Sequence, residues 1–337
     1  MSSRVHPRQA LFDSSEAAPA LPVCDHYCGV EARMLKSLQL QAELGPVFDI
    51  TLDCEDGAPV GGEAEHAHMV AELVMSARNQ HGRVGARVHP FDHPSFDADV
   101  QTIIRRAGSR LAYLMVPKVG GFEQARGAVS AIDRTLREHG HSRRVPVHVL
   151  IETHGALRDV DAIAAHPRIE SLSFGLMDFV SAHRGAIPQA GMSATGQFEH
   201  PLVVRAKLDI AAACHTHLKT PSHCVVTEFR RLDLLRAAAE NASRQLGYLR
   251  MWSIHPDQIR PIVEAFAPTV AETDQATEIL MAAQANDWAP ISHRDTLHDR
   301  ASYRYFWHVL ERAVRTGQAL PIEVRRAFFS DEAGAAA

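Results

Sequence analysis

The sequence predicts a (β/α)8 barrel, an α/β TIM-barrel fold, with a C-terminal helical extension. Three observations carry this reading. Short β-rich runs alternate with amphipathic helical patterns, and eight such runs fall before residue 260. No Gly-x-Gly-x-x-Gly turn follows the first run, which sets aside an open dinucleotide-binding sheet. A stretch with helical spacing but no further strand then continues to the end.

Taken in order, the strand candidates are residues 10–12, 48–54, 85–88, 112–116, 147–151, 171–174, 223–226 and 249–254. Between them, Ala67, Val70, Ala71 and Val74 recur at helical spacing, as do Phe122, Ala125, Val129, Ile132 and Leu136, and Ile259, Ile262, Val263 and Phe266. Residues 1–268 are therefore assigned to the barrel. Residues 269–337 form the extension, with one apolar stripe on Ala276, Ile279, Leu280 and Ala283 and another on Phe306, Val309, Leu310 and Ala313. So small a helical piece is expected to pack on the barrel or on a neighbouring subunit, and residues 331–337 are expected to fray.

Composition narrows the function classes. Apolar residues at 46% and charged residues at 22% are those of a globular protein, which removes disordered and collagenous readings. Thirty-five basic against 40 acidic residues, without a long run of one sign, leave no electrostatic footprint for nucleic acid. Five cysteines without C-x-x-C spacing read as reduced, buried thiols. There is neither a signal-like apolar segment near the start nor a run approaching the ~20 residues of a membrane span, so a cytoplasmic protein without membrane partners is expected. The 21 histidines are scattered and form no H-E-x-x-H pair.

In a barrel, chemistry sits at the C-terminal strand ends. Here those ends carry Glu55 and Asp56 after the second strand, then Arg87, Lys118, Glu152 and Asp178 after the next four. Glu152 and Asp178, on adjacent strands, suit one hard cation such as Mg²⁺, completed by water and substrate oxygens; a helix cap or first-turn acid is the competing reading. Arg87 offers a fork for a substrate carboxylate, or an ion pair with Glu55 or Asp56. Lys118 is read as a structural or electrostatic group on the substrate-binding side, because nearby acids would keep it protonated and unfit for a Schiff base. His255 either caps the last helix or lines the site, and Cys54 reads as a small buried side chain.

These residues also carry a resemblance. Arg8-Gln9-Ala10-Leu11-Phe12, Leu52-Asp53-Cys54-Glu55-Asp56, Arg87-Val88-His89, Val116-Pro117-Lys118-Val119, Ile151-Glu152-Thr153, Gly175-Leu176-Met177-Asp178-Phe179 and Ile254-His255-Pro256-Asp257-Gln258-Ile259 follow one family's motif order. The chain resembles the HpcH/HpaI aldolase and citrate lyase β-subunit family, in particular its citrate lyase-like and malyl-CoA lyase branch. The resemblance implies a (β/α)8 barrel whose Mg²⁺ is held by Glu152 and Asp178, with Arg87 and Arg8 at the substrate and Glu55 and Asp56 as proton-transfer candidates. It also implies a carboxylate brought by the C-terminal segment of a neighbouring subunit, matched here by Asp299, and a trimer or a dimer of trimers. The family's R-V-N reads Arg87-Val88-His89 in this chain.

The expected activity is Mg²⁺-dependent cleavage or formation of a 3-hydroxyacyl-CoA, such as malyl-CoA, citramalyl-CoA or citryl-CoA, giving an acyl-CoA thioester and a 2-oxo acid. Two alternatives are an aldolase acting on free 4-hydroxy-2-oxo acids and a non-catalytic carboxylate-binding barrel or subunit of a larger lyase complex.

Overall fold

The computed structural model describes residues 5–13 and 19–330. These divide into two compact units, residues 19–266 and residues 5–13 with 267–330. After helix α1 (Pro7–Leu11), the first unit runs β1 (Cys24–Cys28), α2 (Glu31–Leu44), β2 (Phe48–Asp53), α3 (Glu63–Met75), β3 (Val84–Arg87), α4 (Phe96–Ala107), β4 (Leu114–Val116) and α5 (Phe122–Glu138). It continues with β5 (Val147–Ile151), α6 (His154–Arg158), α7 (Val160–Ala165), β6 (Ile169–Phe174), α8 (Leu176–Ser181), α9 (Pro201–Thr216), β7 (Thr220–His223), α10 (Leu232–Arg244), β8 (Arg250–Ser253) and α11 (Ile259–Phe266).

All eight strands are parallel and close on themselves through β1 and β8, where Cys24 pairs with Met251 and His26 with Ser253. Outward-facing side chains such as Ile50, Leu52, Val147, Val149 and Leu172 meet the inner faces of the helices in one continuous core. On α5 this face is Ala125, Val129, Ile132 and Leu136, the stripe expected from spacing.

The barrel interior is layered, and its layers differ in chemistry. Near the strand starts, Arg250 is fully buried, with Nη1 2.6 Å from Asp49 Oδ2 and Nη2 3.1 Å from Asp25 Oδ2. Arg83 Nε donates to Asp49 Oδ1 at 2.7 Å, and the Tyr113 and Thr51 hydroxyls both donate to Asp25 Oδ1. Above this ionic layer lies an apolar one of Tyr27, Met115, Leu150 and Trp252, in which the Tyr27 and Trp252 rings stack at 4.1 Å.

In the second unit follow α12 (Val270–Ala285), β9 (Ile291–His293), β10 (Thr296–His298), α13 (Arg300–Arg315) and α14 (Ile322–Phe328). Its core joins Leu11 to Ala276, Ile279, Leu280, Ala283, Phe306, Val309, Leu310 and Ala313, so both apolar stripes are buried. Thr269 and Glu272 form a capping box at the start of α12. Among the described residues, no helix is long and apolar enough to cross a membrane.

Two sequence expectations are corrected. Residues 10–12 are not the first strand: Ala10 and Leu11 end α1, which His6 caps and Pro7 starts, and Leu11 packs among the C-terminal helices. The first strand is Cys24–Cys28, whose polar Asp25 and His26 hide it from an apolar count. The extension is not wholly helical, since β9 and β10 form a hairpin turned by Arg294 and Asp295 at φ 49° and 62°. The expected fraying of residues 331–337 lies outside the described residues.

Candidate active site

The site is built from the last residues of β2 to β6. β2 ends in Asp53, 2% exposed, whose carboxylate organises the loop that follows: Oδ1 accepts the Glu55 N–H at 3.0 Å and Oδ2 the Gly57 N–H at 2.8 Å. A Cβ on Gly57 would lie 2.4 Å from that Oδ2, so only glycine fits this turn. The same carboxylate takes the fork of Arg87 at the end of β3, from Nε at 2.7 Å and Nη2 at 2.5 Å. Arg87 Nη1 lies 3.1 Å from Glu55 Oε2, and its guanidinium covers the Tyr27 ring at 5.2 Å. The ion pair weighed against a substrate clamp is therefore real, with Asp53 as the main partner.

After β4, Lys118 sits at φ 50°, a left-handed conformation uncommon for a side chain of this kind. Its ammonium donates to Glu55 Oε1 at 2.5 Å and to both Asp56 oxygens at 2.8 and 2.9 Å, and lies 3.8 Å from Asp178 Oδ1. Burial alone would lower the Lys118 pKa, but its hydrogen bonds to Asp56 and Glu55 hold it above the ordinary range. This agrees with a charged lysine and opposes amine catalysis. Asp56 responds in kind: partial burial would raise its carboxyl, yet the hydrogen bonds and charge of Lys118, with the charge of Arg87, keep it low.

Glu152 follows β5 and is 2% exposed; its Oε1 accepts the Lys118 backbone N–H at 2.6 Å. Desolvation first, and repulsion from Asp178 second, push its carboxyl up to about 8. Gly175 makes this position possible, because a Cβ there would lie 2.2 Å from Glu152 Oε2. Asp178, half-buried in the first turn of α8, stands at the rim. Beside it a cavity of about 470 Å³ is lined by Met177, Gln189, Met192, Ser193, Thr227 and Glu228.

Five carboxyl groups, Asp53, Glu55, Asp56, Glu152 and Asp178, thus meet two cations, Arg87 and Lys118. Glu152, buried like Asp53, has no cationic side chain within ion-pair distance, and its raised pKa follows from desolvation and the nearby Asp178 charge. Two hard oxygen donors facing a mouth fit Mg²⁺, which keeps several waters rather than taking an all-protein cage. Among the described residues no group of three or more His, Cys, Asp or Glu side chains is assembled for a metal.

The structure brings Glu55, Asp56, Arg87, Lys118, Glu152 and Asp178 together. Arg8 is not on a barrel strand: it lies on α1 in the other unit, where Nη2 pairs with Glu311 at 3.0 Å. Asp299, also in that unit, caps α13 by accepting the Ala301 and Ser302 N–H groups at 3.0 and 3.3 Å. His255 caps the turn after β8 through Nδ1, and Cys54 is buried, with its thiol pKa raised by desolvation. One contributor escaped the sequence reading. Asp53, which holds Arg87, was hidden inside an acidic run.

The model of the HpcH/HpaI aldolase/citrate lyase family matches residues 47–256, from β2 to the turn after β8. An L-malyl-CoA/beta-methylmalyl-CoA lyase of Cereibacter sphaeroides is 27% identical over 285 residues, covering 81% of this chain and 88% of that protein. The crystal structure of a citrate lyase from Burkholderia xenovorans LB400 shares 54% identity over 96% of this chain and 99% of its own, with a TM-score of 0.83. Mycobacterium tuberculosis CitE, solved in complex with magnesium, acetoacetate and coenzyme A, shares the fold at 16% identity and a TM-score of 0.65, over 89% of this chain and 99% of that one.

Proposed function

The chain belongs to the HpcH/HpaI aldolase/citrate lyase family, and from that premise we infer that it is a Mg²⁺-dependent carbon-carbon lyase acting on a 3-hydroxyacyl-CoA. The products are an acyl-CoA and a 2-oxo acid. The observation that carries this reading is the buried Glu152 carboxylate beside Asp178, raised in pKa and without a cationic side chain of its own.

Glu152 and Asp178 are the residues that would hold the metal. When bound, Mg²⁺ supplies Lewis-acid polarisation of the substrate's oxygens. The protein's own groups do the rest. Arg87, held on one edge by Asp53, offers its remaining N–H groups to the substrate carboxylate. Lys118 keeps a positive charge at the acidic rim, where negative charge develops during bond cleavage. Glu55 and Asp56 are the barrel carboxylates positioned to take the hydroxyl proton, and Asp299 of a neighbouring copy is a further one. The cavity beside Asp178 gives room for a substituent of the substrate. Relatives named for malyl-CoA and beta-methylmalyl-CoA support a thioester of this class.

The test is a mass-spectrometric cleavage assay on malyl-CoA, citramalyl-CoA, citryl-CoA and free 4-hydroxy-2-oxo acids, with Mg²⁺ and with EDTA. Release of a 2-oxo acid from a thioester only with Mg²⁺ is the expected result. Cleavage of the free acids alone would replace the reading with an aldolase.

A further inference from the structure

The cavity beside Asp178 has a chemistry of its own, which the reaction above uses only as room. It lies between the loops that follow β6 and β7, adjacent parallel strands whose C-terminal ends face the mouth. Met177, one of its walls, precedes Asp178 in the first turn of α8, and the short turn Gln189–Met192 that forms another wall packs against the same helix. A substrate held at Asp178 therefore has this space as its neighbour.

The cavity is preformed. Glu228, after β7, accepts the Ala194 N–H at 2.9 Å through Oε1. Three residues on, Gln197 is fully buried, and its Oε1 accepts from Lys207 Nζ at 2.7 Å and from Cys224 Sγ at 3.0 Å. At Gly196 a Cβ would lie 2.0 Å from Ala190 O, so the chain turns there where no side chain fits. These contacts tie the loop after β6 to the β7 side and hold open the space of about 470 Å³ between them.

Its lining selects by charge and by size. Met177, Ala190 and Met192 are apolar, Ser193 and Thr227 are neutral, and Glu228 brings a carboxylate; among the described residues that line it there is no Lys, Arg or His. Lys118, the cation of the rim, is engaged by Glu55 and Asp56. A second carboxylate on the substrate would meet Glu228 without a counter-ion, and like charges so placed weaken binding by orders of magnitude. A methyl group is about the size of a water molecule, whose share of liquid volume is about 30 Å³. The cavity thus has room for several carbons, and the two flexible thioether walls adapt to chains of different shape.

We propose that this cavity is the subsite for the chain of the 2-oxo acid, that it takes an uncharged chain of several carbons, and that Glu228 turns away a second carboxylate. This rests on the lyase reading and narrows its substrate: in the thioester, the carbon that bears the hydroxyl carries an alkyl chain rather than a carboxymethyl group. Specificity of this kind comes as much from the mismatch built against the wrong substrate as from the fit to the right one.

The experiment uses the condensation direction, in which acetyl-CoA adds to a 2-oxo acid with nothing lost, followed by mass spectrometry with Mg²⁺. Glyoxylate, pyruvate, 2-oxobutanoate and 4-methyl-2-oxopentanoate are compared with oxaloacetate and 2-oxoglutarate, for full-length wild type, Glu228→Gln, Met192→Arg and Thr227→Arg. Expected in wild type is a kcat/KM for 4-methyl-2-oxopentanoate about 10-fold or more above that for glyoxylate, and about 100-fold or more above that for either dicarboxylic acid. Glu228→Gln keeps an acceptor for the Ala194 N–H and should raise the dicarboxylic acids relative to the uncharged ones by about 10-fold; Met192→Arg and Thr227→Arg should raise them further. In ¹³C-methyl spectra of wild type with Mg²⁺, the Met177 and Met192 signals should shift with 4-methyl-2-oxopentanoate and stay in place with glyoxylate. If thioesters are cleaved while oxaloacetate reacts as well as the branched acid and the methionine signals do not move, the subsite is overturned and the lyase reading stands. If no 2-oxo acid condenses and no thioester is cleaved, the lyase reading falls and the proposal falls with it.

Discussion

The backbone N–H of Lys118 donates to Glu152 Oε1 at 2.6 Å while the Lys118 ammonium reaches Glu55 and Asp56, so one residue at φ 50° ties the buried carboxylate to the acidic rim. Its left-handed backbone, which costs about 1 kcal/mol or more in a non-glycine residue, is compensated by these contacts.

Glu152→Gln keeps the acceptor for that N–H and removes the cost of burying an ionisable carboxyl whose pKa is pushed up to about 8. With EDTA present the variant should therefore melt higher than wild type, by about 1 to 3 kcal/mol in stability, while losing Mg²⁺-dependent turnover. Thermal melts with EDTA and with Mg²⁺ check this. A lower melting temperature in EDTA would mean the carboxylate is well paired in the metal-free protein.

Asp53 accepts from Arg87 twice and from two backbone N–H groups, so Asp53→Asn strands a buried guanidinium. The cost should be about 3 to 5 kcal/mol, read as a lower urea midpoint at unchanged slope. Turnover should fall with it, because Arg87 loses its orientation. A silent substitution would show that Glu55 alone holds the arginine.

For Asp299 the two possible tasks separate by chemistry. Asn caps a helix as well as Asp does, whereas Ala costs about 1 kcal/mol. If Asp299 transfers a proton in a neighbouring copy's site, Asp299→Asn should keep its melting temperature and lose about 100-fold in kcat, and Asp299→Ala should lose both. Full activity in D299N would leave the residue as a cap.

Lys207 on α9 is fully buried, donates to Gln197 Oε1 at 2.7 Å and lies 3.9 Å over the Phe198 ring. Desolvation lowers its pKa from 10.5 to about 8. Below about 8 both folded and unfolded chains hold the proton, and the cost of burying it is fully present. From there to 10.5 the unfolded chain binds more protons, so stability rises with pH, by about 3 kcal/mol in all. Urea unfolding of wild type against Lys207→Met across that window should show the rise in wild type alone. Parallel curves would mean that the ammonium stays charged in the fold.

The sequence was most legible where one side chain suffices to read a position. Val147–Ile151 is a β-rich run and forms the expected strand; Glu152 and Asp178, just past two strand ends, are conspicuous because a core would not accept them. It was least legible where partners come from distant strands. Asp25 and His26 look wrong for a strand until Thr51, Tyr113, Arg250 and Ser253 satisfy them, and these lie far away in the chain. The pairing of Arg87 with Asp53 rather than with Asp56 likewise depends on register, here Asp53 opposite Arg87. Leu11 and Phe12 form an apolar pair too short to carry any period, so strand and helix could not be told apart there. The hairpin after α12 lacks Asn-Gly at its turn, which removed the signal that normally announces one.

The ionic layer of Arg250, Asp25, Asp49 and Arg83 closes the barrel at the end away from the chemistry. It leaves the reaction with a single doorway. Water, substrate and protons come and go on the side where Lys118 and Asp178 stand, so traffic through this enzyme is one-ended. Whatever covers that opening during turnover controls at once which molecules enter and whether the reacting groups meet solvent.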